Sequence, residues 1–110
     1  MASLSNYLRT HRKRLSFSQE DVAFLVGVNG MEKGIKVSRD ENNAREPSLQ
    51  TALAYEAIYG TPVRELFAGL YEQAERQVSE RAKVLRHRKT KKPEPKRDEV
   101  ISNLVSKIII

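Results

Sequence analysis

VSRDENNAREPSL, Val37 to Leu49, is the stretch on which the fold turns. It sets a Ser-Arg pair, two acids, two asparagines and a charged Ala-Arg-Glu turn between segments that are largely apolar. Such a run reads as the exposed face of a short helix followed by a turn. The pattern predicts that helix over roughly 35–42, with Val37 as its core residue. Asn43 suits a left-handed helix end, because asparagine tolerates positive φ better than other non-glycine residues. The turn then runs to Pro47. Ser48 is placed to cap a further helix built on Leu49, Ala52, Leu53, Ala57 and Ile58 and stopped by Gly60.

Upstream, Leu4, Tyr7, Leu8, His11 and Leu15 follow spacings of three and four, which makes one stripe of a first helix whose other faces carry Arg9, Arg12, Lys13 and Arg14. Ser18, with Asp21 three residues on, is a near capping box for a second helix containing Val22, Ala23, Leu25 and Val26 and closed by Gly27. Gly30 and Gly34 in VNGMEKG mark a loop before the Val37 helix. Downstream, Pro62 stands where a first helical position is expected. From there Val63, Leu66, Phe67, Leu70, Tyr71, Ala74, Val78, Ala82 and Leu85 keep helical spacing, which predicts one long fifth helix broken by KKPEPK. The tail VISNLVSKIII is apolar at Val100, Leu104 and Ile108 and at Ile101, Val105 and Ile109, and calls for a partner surface.

A chain of 110 residues with no cysteine allows one modest core and no disulfide or thiolate ligand, which fits a reducing, cytoplasmic setting. No stretch approaches the roughly 20 apolar residues of a membrane span, so no membrane association is expected. The formal charge is +6 and is unevenly spread. Residues 1–75 hold nine Lys/Arg against ten Asp/Glu, residues 76–97 hold ten against two, and residues 98–110 hold one against two. The basic segment is suited to a polyanion, or else is a solvated helix and linker.

The residues go further than the pattern. LRTHRKRLSFSQEDVAFLVGV, 8–28, resembles the opening of the Xre/Cro-type, phage-repressor-like helix-turn-helix family, in which a basic first helix leads to Ser-Gln, then Leu-Ala or Val-Ala, then Gly. VSRDENNAREPSLQTALAYEAIYGTPVRELF, 37–67, resembles its remainder: an Ile-Ser-Arg-x-Glu recognition segment, a basic turn to Pro-Ser-Leu, and a closing Gly-x-x-Val-x-Glu-Leu-Phe. The resemblance covers about residues 4–70 and rests on the order and spacing of motifs that are individually unspecific. It implies an all-α, five-helix repressor-like domain over 1–75 with an extended fifth helix; beyond it lie a basic extension and linker over 76–97 and an apolar segment over 98–110 that either dimerises through Val100, Leu104 and Ile108, as helices or as a paired strand, or folds back on its own domain.

The function it implies is sequence-specific recognition of double-stranded DNA by a transcriptional regulator, with helix 35–42 in the major groove. Arg39 is then the first candidate to read a base, since arginine bidentate to guanine is the commonest specific contact; Lys36, Ser38 and Ile35 follow. Ser18, Gln19, Lys33, Asn42, Asn43 and Arg45 fall where phosphate contacts are made. Arg12 and Glu41 occupy positions that pair beneath the recognition helix in family members. Two features depart from the family pattern. Gly27 to Val37 spans ten steps where about six are usual, which puts Gly34 and Ile35 at the first base-reading positions. Asp40 stands where an apolar or aromatic residue is preferred, and a carboxylate there must reach solvent or find a partner.

A diverged domain acting through protein binding, as antagonist, antitoxin or adaptor, is the competing expectation; the long turn and Asp40 favour it. Gln19, Arg39, Arg45 and the basic segment favour DNA, bound by a homodimer on a palindromic operator. Catalysis is not expected. His11 and His87 lie far apart in basic helical surroundings and read as surface residues, no cluster has metal-ligand spacing, and no glycine pattern implies a cofactor.

Overall fold

Helix boundaries in the first half of the chain follow from capping chemistry. In this computed structural model, which describes residues 5–28, 33–88 and 94–106, α1 spans Leu8–Arg14 and α2 spans Gln19–Val26. The Ser18 hydroxyl accepts from the Asp21 N–H, the Asp21 carboxylate accepts from the Ser18 N–H, and Gly27 closes α2 at φ 95°. Helix α3 spans Lys33–Glu41 and ends on Asn43 at φ 58°. Ser48 caps α4, Leu49–Tyr59, by accepting from the Thr51 N–H, and Gly60 ends it at φ 64°.

The expected single fifth helix is two. Helix α5 covers Val63–Leu66 and α6 covers Ala68–His87, with Phe67 between them at φ −115°, ψ 47°. The physical reason lies outside the segment: the Leu66 carbonyl accepts the Tyr7 N–H at 2.7 Å, so it does not serve a helix running on through Leu70. Pro62 stands at the N-cap position of α5, one residue before the first helical position expected of it, and makes no side-chain cap. The tail forms α7, Pro95–Ser106, which starts ahead of the apolar run. Ile108 and the β-branched end of the chain lie outside the described residues. Among those described there are seven helices and no strand, and no helix is long and apolar enough to cross a membrane.

The chain forms two compact units, Met1–Leu70 and Tyr71–Ile110. In the first, Leu8, Val22, Ala23, Val37, Ala52, Tyr55, Tyr59, Leu66 and Phe67 make the core, with Phe17, Val26, Val28, Ile58, Val63 and Leu70 packed against it. Each large apolar side chain buried there contributes about 1.5–3 kcal/mol. The buried face of α4 differs from the one its aliphatic residues suggest. Ala52, Tyr55 and Tyr59 point in while Leu49 and Leu53 are exposed, because two tyrosines a turn apart fill more of the core than two leucines. Tyr55 stacks on Tyr59 at 6.1 Å and Tyr59 on His11 at 6.0 Å, so His11 is half-buried against a ring and not the free surface residue that its basic neighbours suggest.

In the second unit, α6 from Tyr71 on and α7 form an antiparallel hairpin, with Leu85 and Arg86 beside Arg97 and Ile101 and with Tyr71 and Val78 beside Leu104. The Ser79 hydroxyl donates to the Val105 carbonyl at 3.4 Å, and Ser79, Ala82 and Ile101 are its buried residues.

Candidate nucleic-acid interface

Helix α3 has opposite charges on opposite faces. At 100° per residue, Ile35, Arg39 and Asn42 share one side and all three are exposed, with Ser38 half-exposed beside them. Lys36 is half-exposed on a flank, and Lys33 begins the helix with its side chain outside the described set. Val37 and Asp40 are buried on the other side. The Asn42 amide donates to the Ser38 hydroxyl at 3.3 Å.

Asp40, only 1% exposed, finds the partner that its burial demands. It accepts the Tyr55 hydroxyl at 2.7 Å and the Arg45 Nε at 3.4 Å. Burial, and then the bond to Asp40, raise the Tyr55 hydroxyl's pKa above the ordinary tyrosine value, so it stays a donor. Glu41 is held as firmly. Arg12 grips it with two bonds, Nε to Oε2 at 2.6 Å and Nη2 to Oε1 at 3.2 Å, while its Nη1 donates to the Phe17 carbonyl at 3.1 Å. The Gln19 amide adds a bond to Oε1 at 3.2 Å. The hydrogen bond to Glu41 raises the Arg12 guanidinium's pKa further. Both acids of α3 are therefore turned under and compensated, and the charge left on its outer face is Arg39.

One side chain not singled out by the sequence ties this helix end down. The Asn6 amide donates to the Asp40 carbonyl at 3.0 Å and to Asn43 Oδ1 at 2.7 Å, and its own carbonyl accepts the Leu8 N–H at 3.1 Å. An asparagine ahead of a helix is too common for its spacing to signal a partner 37 residues away. Tyr55 is equally hard to foresee, since a tyrosine in an apolar helix reads as core first.

Several residues expected at phosphates have intramolecular work. Ser18 is the cap of α2, in a box that places the Asp21 carboxylate at that helix start. Gln19 serves Glu41, Asn43 serves Asn6, and Arg45 leans on Asp40 while remaining 43% exposed at its side chain. Of the three, Arg45 uses only Nε in this contact, which leaves its terminal amines for another acceptor. Arg39, Lys36 and Ser38 lie together on α3 with Ile35. Gly34 lies against Gln19 and Glu20, where an added Cβ would make ordinary contacts at 3.9–4.0 Å.

Close to the same network, the Tyr59 hydroxyl is buried with no hydrogen-bond partner among the described residues. Burial, reinforced by the charge of Glu41 and opposed by Arg12, pushes its pKa up to about 12. No group of three or more His, Asp or Glu among the described residues is placed to hold a metal ion. Compared with protein-family models, curated proteins and solved structures, the chain has no match in any of them.

Proposed function

We propose that the chain is a repressor-like helix-turn-helix protein that recognises double-stranded DNA, laying α3 in the major groove as a transcriptional regulator. The observation that carries this reading is the sidedness of α3. Its two acids are buried and paired, and Arg39, Ile35 and Asn42 face out on one stripe, a surface of net positive charge with one apolar side chain suited to a thymine methyl. Arg39 reads a base; Arg45, Asn42 and the basic segment beyond residue 76 meet phosphates. Family members of this kind act as dimers on palindromic sites, and a homodimer is part of the proposal.

A second reading, a protein-binding domain, is favoured by α2. Phe24 there is 76% exposed, Leu25 is exposed, and with Phe17, Glu20 and Asp21 they line a shallow depression. The two readings separate on titration of the full chain against a random-sequence duplex by fluorescence anisotropy over a salt series. DNA binding gives an affinity that falls linearly with salt on logarithmic axes. Absence of binding at low salt rejects it in favour of the protein-binding reading.

A further inference from the structure

Helix α6 carries an apolar stripe along its seam with α7 that α7 leaves partly open. Ser79 and Ala82 share the side turned to α7 and are buried. Tyr71, Val78 and Leu85 recur every seven residues and so share a neighbouring stripe, where they are 40%, 43% and 37% exposed. On α7 Val100 is exposed, and Leu104 one turn on joins Tyr71, Ala74, Glu75 and Val78 around an open groove of about 160 Å³. Among the described residues the side chains buried in this hairpin are one serine, one alanine and one isoleucine, while the three larger apolar side chains of the α6 stripe stay exposed.

We propose that this hairpin pairs with a second copy of itself, α6 running antiparallel to the partner's α6 about a two-fold axis at Val78, to close a four-helix bundle. At 100° per residue Ala82 and Ser79 lie about 20–120° round from the Tyr71–Leu85 stripe, so the stripe borders the α7 seam and points between α7 and a second neighbour, as a centre-facing stripe does in a square bundle. Charge selects the antiparallel sense. From Ala68 to Val78 the helix carries Glu72, Glu75 and Arg76, and from Ser79 to Arg88 the chain carries Glu80 against Arg81, Lys83, Arg86 and Arg88. An antiparallel pair sets the acidic half of each helix beside the basic half of the other, whereas a parallel pair stacks basic on basic. The two-fold also sets Tyr71 against the partner's Leu85, so the exposed stripe is self-complementary. This interface rests on the dimeric part of the proposed function and moves its centre from the tail to α6, with Val100 and Leu104 completing the bundle.

The chain has no cysteine, so single cysteines introduced into the full-length protein report proximity directly, without DNA. Val78→Cys should cross-link to itself on mild oxidation. A mixture of Tyr71→Cys and Leu85→Cys chains should cross-link to each other more than tenfold faster than Tyr71→Cys to itself. Leu53→Cys on α4 should not cross-link, and Val78→Glu should convert a dimer in sedimentation to a monomer of unchanged helical content by circular dichroism. Self-cross-linking of Tyr71→Cys in preference to the mixture would overturn the antiparallel sense. A wild-type monomer, or cross-linking of Leu53→Cys but not Val78→Cys, would overturn the interface. A chain that passes these tests and fails to bind DNA leaves the bundle standing and rejects the DNA reading alone.

Discussion

Arg12→Met isolates what the buried ion pair contributes. The substitution keeps the aliphatic stem and removes three donors: the two on Glu41 at 2.6 and 3.2 Å and the one on the Phe17 carbonyl at 3.1 Å. Glu41, 2% exposed at its side chain, is then left among the described residues with the Gln19 amide at 3.2 Å as its one remaining donor. Breaking one side of a buried pair costs about 3–5 kcal/mol, and the surviving Gln19 bond places this case at about 3 kcal/mol. For a chain of this size that lowers the melting temperature by about 12 °C or more. Glu41→Leu should cost less, about 2 kcal/mol, because the Arg12 side chain is 11% exposed, keeps Phe17 and turns to water more easily. The double variant Arg12→Met/Glu41→Leu leaves no orphaned charge. It should therefore lose about 2 kcal/mol less than the sum of the two, read from urea unfolding at fixed pH. Additivity within about 0.5 kcal/mol would show that the pair does not carry the energy assigned to it.

Two tyrosines one turn apart should respond oppositely. Tyr55→Phe removes the donor to buried Asp40 and should cost about 1.5–3 kcal/mol; Tyr59→Phe removes a hydroxyl with no partner and should leave stability unchanged or raise it by about 1 kcal/mol, so a clear loss at Tyr59 would show that its hydroxyl is bonded. Because the folded Tyr59 pKa is pushed up to about 12 from 10.0, the unfolded chain releases its proton first, so this residue's contribution to stability should be level just below pH 10 and be lost between pH 10 and 12, and stability should fall less steeply over that window in Tyr59→Phe, as urea midpoints will report. On a preferred operator Arg39→Ala should cost about 1–3 kcal/mol in binding and relax choice at one base pair, whereas an equal reduction on every sequence would place Arg39 at a phosphate. Neutralising Arg81, Arg86 and Arg88 should flatten the salt dependence by about 0.9 log units per log of salt for each of the three that meets a phosphate, with little change in the ratio of specific to non-specific affinity.

The parts of the fold that are legible in the sequence are those governed by neighbours along the chain. Ser18 with Asp21, Gly27, Asn43, Ser48 and Gly60 each act within a turn of their own position, and each stands at a helix boundary. Features set by distant partners are not legible. The break at Phe67 depends on the Tyr7 N–H reaching the Leu66 carbonyl, which no local propensity encodes. The face of α4 is deceptive because Leu49 and Leu53 outrank Tyr55 and Tyr59 as apolar residues, although the tyrosines carry the larger buried rings. Ser16, at φ 61°, closes the α1–α2 turn where glycine would be the usual signal, so the turn leaves no mark in the sequence. At the candidate interface, residue types announce polarity but not allegiance. Gln19, Asn43 and Arg45 are equally good partners for a phosphate or for a neighbour in the fold, and only the structure distinguishes the bonds to Glu41, Asn6 and Asp40.

Whether the outer face of α3 reads a DNA sequence is tested most directly by selecting bound molecules from a pool of random duplex DNA with the full-length protein, beside an Arg39→Ala control. The native chain should enrich one palindromic sequence, and at least one position in each half-site should lose its preference in the control. A pool that emerges unenriched at low salt, or one enriched identically by both proteins, would contradict that role for α3.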